Sequence, residues 1–108
     1  MRPTKVTVTT SAATGESAWI PLNYRQEGFN VGIALDVTAG TPTWVVQMTL
    51  DDIFDSSVTP MALALPSTTG LETGTADEIG VLTIPCRAIR LTHSSSSGTT
   101  TMTVVQGH

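Results

Sequence analysis

Residues 43–50, which read TWVVQMTL, alternate between two kinds of side chain. The apolar members of one face are Trp44, Val46, Met48 and Leu50. A period of two in apolar residues is the pattern of a β-strand with one face in a core. The stretch AGTP precedes the run and two aspartates follow it, so residues typical of turns mark both of its ends. The sequence therefore predicts a central strand that begins its buried face with Trp44.

A second alternating run, residues 29–37, precedes the first one and reads FNVGIALDV. Its odd-numbered positions are all apolar, and its even-numbered positions are small or polar. Gly40 and Pro42 lie in the short connection between the two runs, and two strands joined in this way are typical of a β-hairpin. We therefore expect the two runs to pair with each other as an antiparallel hairpin.

Further short runs that alternate or are apolar occur along the whole chain, separated by residues typical of turns. They are residues 6–9, 18–22, 61–65, 81–84, 87–92 and 100–106. Only 13% of the residues are charged, and the Glu, Lys, Gln and Arg that favour helices are scarce, so the composition favours strands. The sequence predicts a single all-β domain over residues 1–108, an antiparallel β-sandwich that is jelly-roll-like or Ig-like. A small β-barrel is the alternative.

The charge and hydropathy of the chain argue against several classes of protein. A net charge of -4 with five Lys and Arg residues leaves no basic face for a phosphate backbone, so no nucleic-acid partner is expected. No apolar run approaches the roughly 20 residues that span a bilayer, so no membrane contact is expected. The N-terminal residues alternate and do not form the apolar core of a signal peptide, which predicts a protein made and kept in a cytoplasm.

The single cysteine and the histidines are weak candidates for catalysis. Cys86 cannot form an internal disulfide, and we interpret it as a small buried apolar side chain. His93 lies where a strand meets the serine-rich turn, and we interpret it as a solvated loop residue; His108 is the last residue. There is no Gly-x-Ser-x-Gly elbow, no glycine-rich phosphate loop and no metal-ligand spacing of Cys or His. The expectation is therefore a protein that is not an enzyme and holds no cofactor or metal.

Asp51, Asp52 and Asp55 form the tightest group of carboxylates in the sequence. Carboxylate oxygens are the ligands that calcium prefers, but the spacing, glycine and terminal glutamate of an EF-hand loop are absent. Aspartates are also common where a strand ends, because they accept hydrogen bonds from nearby backbone N–H groups. We interpret the three as such local caps, with a cation site or a surface contact as the alternatives.

Residues 23–28 hold the densest mixture of polar and aromatic side chains in the chain, and within them Tyr24, Arg25 and Gln26 are the candidate binding residues. Tyr and Arg are enriched at the energetically dominant positions of protein interfaces. The alternative interpretation is a tyrosine at the edge of the core beside a solvated arginine. Trp19, next to Pro21, is expected to be partly exposed, and together with Tyr24 it offers a stacking platform for a sugar.

Five stretches of the chain together resemble a family of small virion proteins of tailed bacteriophages. They are IPLNYRQ at 20–26, FNV at 29–31, VQMTLDD at 46–52, PCRAIRL at 85–91 and VVQG at 104–107. Residues 53–80 share no motif with that family. The resemblance implies a structural role on the particle, as a capsid decoration (cement) protein on the capsid exterior that stabilises the head.

The partners implied by the resemblance are the major capsid protein and further copies of the chain, with a trimer as the expected oligomer. Tyr24, Arg25 and Gln26 are then expected to contact neighbouring subunits, because they directly precede a core strand that holds their backbone. Two other functions stay open. One is a tail or neck component of the same virion, and the other is a β-sandwich that binds carbohydrate or a cell surface.

Overall fold

The computed structural model describes residues 3–10, 14–25, 28–95 and 97–106. Its strands are β1 (Thr4–Thr10), β2 (Gly15–Glu16), β3 (Ile20–Pro21), β4 (Val31–Gly40), β5 (Thr43–Thr49), β6 (Leu63–Ala64), β7 (Glu78–Leu82), β8 (Ala88–Ser95) and β9 (Gly98–Gln106). One 3-10 turn, Ser67–Thr69, lies between β6 and β7. None of the helical segments in these ranges has the length and apolar character needed to cross a membrane.

The strands form two sheets, and every pairing between them is antiparallel. The first sheet has the order β1-β9-β4-β7, and we call it sheet A. The second has the order β2-β8-β5-β6, with β3 also paired to β8, and we call it sheet B. The predicted antiparallel β-sandwich is confirmed, and the barrel is not the arrangement found.

The core lies between the two sheets and is built from the alternating runs of the sequence. Its central side chains are Val31, Ile33 and Leu35 of β4, Trp44, Val46 and Met48 of β5, Ile89 and Leu91 of β8, and Met102 and Val104 of β9. Trp44 is only 1% exposed, so its predicted burial is confirmed. Burial of this apolar surface from both sheets is the main term that holds the sandwich together.

The predicted hairpin between residues 29–37 and the following run is wrong. β4 pairs with β7 and β9 in sheet A, whereas β5 pairs with β6 and β8 in sheet B. The two strands therefore face each other across the core and do not share a ladder. A hairpin and a pair of strands in opposite sheets both give a period of two in the sequence, because the period reports only that one face of each strand is buried.

Residues 40–42 connect β4 of sheet A to β5 of sheet B, and they contact the connection that leads back from β8 to β9. Gly40 has a φ of 67°, and a Cβ on it would collide with the carbonyl oxygen of Ser97. Pro42 is buried against Gly98, at the point where the chain crosses back from β8 to β9. The two corners therefore pack on each other where the chain crosses between the sheets.

The predicted inward position of Leu50 is also wrong, since its side chain is 60% exposed. β5 ends at Thr49, which is fully buried although the alternation places it outward. The Thr49 side-chain oxygen accepts a hydrogen bond from the Asp51 N–H at 3.1 Å, and its carbonyl accepts one from Arg87 N–H at 2.9 Å. These bonds end the strand one residue before its apolar pattern ends.

Candidate protein-interaction site

Tyr24 and Arg25 lie in the loop that leads from β3 to β4. Tyr24 is half-buried and Arg25 is exposed, while Gln26 lies outside the described residues. The structure thus gives the two described candidates different environments: the ring has partners on the protein, and the guanidinium of Arg25 faces solvent. An exposed Arg beside a supported Tyr is an arrangement suited to contact with another macromolecule.

The backbone of this loop is fixed by one buried side chain. Gln106, at the end of β9 and 4% exposed, accepts a hydrogen bond from the Asn23 N–H and donates one to the Asn23 carbonyl, each at 2.8 Å. Leu22 N–H donates to the Arg87 carbonyl at 2.9 Å, and Tyr24 N–H donates to the Leu22 carbonyl at 3.1 Å. The loop therefore enters any contact with little backbone freedom left to lose.

A second arginine reaches the tyrosine from another part of the chain. The guanidinium carbon of Arg87 lies 4.6 Å from the centre of the Tyr24 ring, and that of Arg25 lies 5.4 Å from it. Both are cation–π distances. Arg87 was not singled out from the sequence as a site residue. The pairing of β3 with β8, in which Pro21 lies opposite Ala88, is what brings it here, and one sequence does not reveal that pairing.

A shallow cavity of about 310 Å³ adjoins the ring and is lined also by Asp52, Phe54 and Arg87. Phe54 is 79% exposed, an unusual position for a large apolar side chain. The carboxylate of Asp52 lies 4.0 Å from Arg87 Nη1, a long ion pair that leaves the guanidinium free to take a closer partner. We call Tyr24, Arg25, Arg87 and Phe54 the Tyr24 cluster. It offers cations, an aromatic face and an apolar anchor on one surface.

The three aspartates after β5 act as local caps, as predicted. Asp51 accepts from Met61 N–H at 2.7 Å, Asp52 from Phe54 N–H at 2.9 Å, and Asp55 from Ser57 N–H at 2.9 Å. The Ser57 hydroxyl also donates to Asp55 at 2.7 Å, and these bonds lower the pKa of that carboxyl. Across the described ranges, no group of three or more His, Cys, Asp and Glu side chains is placed to hold a metal ion.

The interpretation of His93 as a solvated loop residue is wrong. It lies in β8 with 1% exposure, and its Nε2 is 2.8 Å from the Thr100 hydroxyl of β9, so this contact joins the two sheets. Burial lowers the pKa of the imidazole, because the charged form loses its hydration. The strand extends through the histidine into the serine-rich stretch, where the composition predicts a turn.

Cys86 is buried, as predicted, with 1% exposure. Removal from water raises the pKa of its thiol to about 11, which keeps the group protonated at neutral pH. Among the residues described, Trp19 is half-buried as expected, and the Arg90 guanidinium lies over its ring at 4.4 Å. Both aromatic rings offered as sugar platforms thus already contact guanidinium groups, which compete for the ring faces that a sugar needs.

Comparison with known proteins identifies a shared fold. No protein-family model matches the chain, and no curated protein matches it. The solved structure of the SPBc2 prophage-derived protein YomS is similar, with a TM-score of 0.55 and 13% sequence identity. The similarity covers 99% of this chain and 96% of that chain. At this identity the likeness shows the fold, and it extends over nearly the whole of both chains.

Proposed function

We propose that this chain is a structural protein of a tailed-phage virion, and that it decorates the capsid exterior by binding the major capsid protein. The observation that carries the proposal is the Tyr24 cluster, in which the exposed Arg25 and Phe54 lie beside the half-buried Tyr24 and Arg87, with Tyr24 and Arg25 on an anchored loop. A phage setting is supported by the end-to-end likeness to a prophage-derived protein and by the sequence stretches that resemble virion proteins.

The chemistry of the cluster suits an acidic protein surface. Arg25 is exposed, and a guanidinium donates two parallel hydrogen bonds to one carboxylate, which an ammonium cannot do. The chain itself has a net charge of -4, so an arginine that faces outward is the natural group to meet carboxylates of a partner. Contact between an acidic partner and the other, acidic parts of this chain's surface is opposed by charge repulsion.

The aromatic side chains of the Tyr24 cluster provide apolar surface that a partner can bury, which a contact between charges alone does not provide. Phe54, 79% exposed beside a cavity of about 310 Å³, is a side chain that a partner can cover. The Tyr24 ring, in cation–π contact with two arginines, adds a rigid surface at low entropic cost. Aromatic and Arg side chains centred in a contact are the groups that carry most binding free energy.

Quantitative mass spectrometry of purified particles is the first experiment. A copy number comparable with that of the major capsid protein supports capsid decoration, whereas a far smaller number supports a tail or neck position. Absence of the protein from washed particles contradicts a virion role altogether. Capsids that lack the protein, mixed with the purified chain, then show directly whether it binds the exterior and raises the temperature at which heads break.

Carbohydrate binding is the second candidate, and one observation favours it. A polar cavity of about 510 Å³ on sheet B is lined by Glu16, Gln47 and Arg90, among others, and Arg90 stacks on Trp19. Arg90 is already engaged by Gln47 at 2.9 Å and Glu16 at 3.2 Å. A glycan array probed with the purified chain tests this candidate: a specific glycan signal supports it, and the absence of any signal contradicts it.

A further inference from the structure

The outward face of sheet A carries an apolar groove of about 470 Å³. Its floor is formed by the small residues Gly32 and Ala34 of β4. One wall is the pair Ile79 and Val81 of β7, and the other wall contains Val105 of β9. The strand register explains the shape, since Gly32 lies between Val81 and Val105, and Ala34 lies beside Ile79.

The walls of this groove are unusually exposed for apolar side chains. Ile79 is 75% exposed, Val81 51% and Val105 41%. β7 is moreover an edge strand of sheet A, and its sequence EIGVL contains none of the Lys or Pro residues that natural edge strands use against unwanted pairing. Exposed apolar side chains grouped in this way are typical of surfaces that bind a partner.

Charge on this face is sparse and separated. Among the described outward residues of β1, β9 and β4, the charged ones are Lys5 and Asp36, and most of the others are threonines. Lys5 lies on edge strand β1 and is in register with Ala34 of β4, because both pair with Thr103 of β9. Asp36 is the next outward-facing residue of β4 after Ala34. Asp77 and Glu78, where β7 begins, are exposed as well, and Asp77 accepts a hydrogen bond from Val37 N–H at 2.8 Å. The face thus presents Lys5 and Asp36 around an apolar groove, with two further carboxylates at its β7 rim.

We propose that this face binds a second copy of the chain in a twofold, face-to-face homodimer. A twofold interface requires one surface that is complementary to itself. Sheet A meets this requirement in shape, because the ridge of Ile79 and Val81 and the trough over Gly32 lie on the same face. It meets the requirement in charge as well, because Lys5 of each copy pairs with Asp36 of the other.

The strand register permits both contacts at once. Neighbouring strands lie about 4.8 Å apart and alternate residues of one strand about 6.7 Å apart. On this grid, a twofold axis in the plane of the face that carries Lys5 onto Asp36 of the second copy also carries Ile79 onto Val105. The same operation places Val81 beside Gly32 of the second copy. In the arrangement that forms the two ion pairs, Val81 therefore enters the trough over Gly32 of the other copy, and Ile79 packs against Val105.

A second copy of the chain offers this face both a matching apolar surface and the opposite charges for Lys5 and Asp36. Two chains of net charge -4 repel each other, and an axis that exchanges Lys5 with Asp36 offsets part of that repulsion with two ion pairs. The sheet face measures about 400 Å² in projection from the strand spacings, below the roughly 800 Å² per partner of a standard interface. We therefore expect a weak dimer, with a dissociation constant in the micromolar range.

This inference is independent of the capsid proposal, and it differs from the trimer that the family resemblance implies. Sedimentation equilibrium of the full chain, from micromolar to millimolar concentration, is expected to show a monomer–dimer equilibrium. Ile79→Glu is expected to raise the dissociation constant by at least about tenfold, because it places a carboxylate in the apolar contact. The thermal midpoint of the dilute monomer is expected to stay unchanged, since Ile79 is 75% exposed.

Met61→Glu is the matched control, because Met61 is 65% exposed and precedes β6 of the other sheet. It should leave the dissociation constant within about twofold of the unmodified chain. A chain that stays monomeric at millimolar concentration, forms a trimer, or dimerises equally well as Ile79→Glu overturns the proposal.

A charge exchange tests the arrangement itself. Lys5→Glu and Asp36→Lys each place like charges opposite one another, and each is expected to weaken dimerisation several-fold. The double variant, Lys5→Glu with Asp36→Lys, restores two opposite-charge contacts and is expected to dimerise within about twofold of the unmodified chain. Failure of the double variant to recover, while both single variants fold, contradicts the proposed axis.

Discussion

The indole of Trp44 lies against the Cα of Gly74, in the space that a Cβ on Gly74 would occupy. The two residues are also joined through their backbones, since Trp44 N–H donates to the Gly74 carbonyl at 2.8 Å and Gly74 N–H donates to the Trp44 carbonyl at 3.0 Å. The indole Nε1–H donates to the Ala76 carbonyl at 2.9 Å. The long connection between β6 and β7 is thereby fixed to the largest side chain of the core.

Gly74→Ala is expected to destabilise the fold by about 1–3 kcal/mol, because the added methyl group must displace the buried indole ring. Chemical denaturation monitored by tryptophan fluorescence measures the change. Gly32→Ala is the matched control, since a Cβ there makes only an ordinary contact, 3.7 Å from the Val105 carbonyl oxygen. Equal stability of Gly74→Ala and Gly32→Ala at dilute concentration would show that the connection yields to the methyl group without cost.

Trp44→Ala is expected to cost about 3–5 kcal/mol, the usual range for removal of a large buried aromatic side chain. The loss combines the burial of the ring, the cavity left behind and an Ala76 carbonyl that loses its donor. Urea denaturation followed by circular dichroism measures it, because the variant lacks the buried Trp44 reporter and only the half-buried Trp19 remains. A loss below about 1 kcal/mol would contradict the central place of this residue in the core.

His93 predicts a pH dependence of stability. Its pKa is lowered in the fold by burial, so between that value and the unfolded value of about 6.5 the unfolded chain binds more protons. Stability is therefore expected to fall as the pH drops below about 6.5, and the loss levels off below the folded pKa. Denaturation midpoints of the unmodified chain and of His93→Gln, compared between about pH 8 and pH 5, test this. The glutamine retains an N–H donor for Thr100 but does not titrate, so equal pH dependence of the two chains would refute the role of the imidazole.

The alternation in the sequence predicted which residues are buried far better than it predicted which strands are neighbours. Val31, Ile33 and Trp44 are buried as expected, because a period of two reports the faces of a strand directly. Pairing depends on contacts between distant parts of the chain, such as β1 with β9 and β3 with β8. No pattern within a single run encodes those, and so the hairpin between β4 and β5 was predicted where a crossing between sheets occurs.

The sequence predicts only part of the candidate site, because strand pairing between distant parts of the chain brings in the rest. Tyr24 and Arg25 are adjacent in the chain, so their concentration in one loop could be seen. Arg87 and Gln106 reach that loop only through strand pairing, and neither carries a local signal of its role. The prediction for His93 is wrong because a serine-rich stretch is typical of a turn, whereas the strand continues to Ser95.

Arg25→Ala is expected to leave the free energy of unfolding within about 0.5 kcal/mol of the unmodified chain, because the side chain is exposed and its contact with Tyr24 at 5.4 Å is a weak one. Binding to capsids that lack the protein is expected to weaken by about tenfold or more, the effect of losing charge-assisted hydrogen bonds to a carboxylate. Arg25→Lys keeps the charge without the bidentate geometry, and we expect an intermediate affinity. Cosedimentation with purified particles measures binding, and thermal denaturation of the free protein measures the fold. Normal binding by Arg25→Ala would remove this residue from the contact, and unfolding of the free variant would make its role structural.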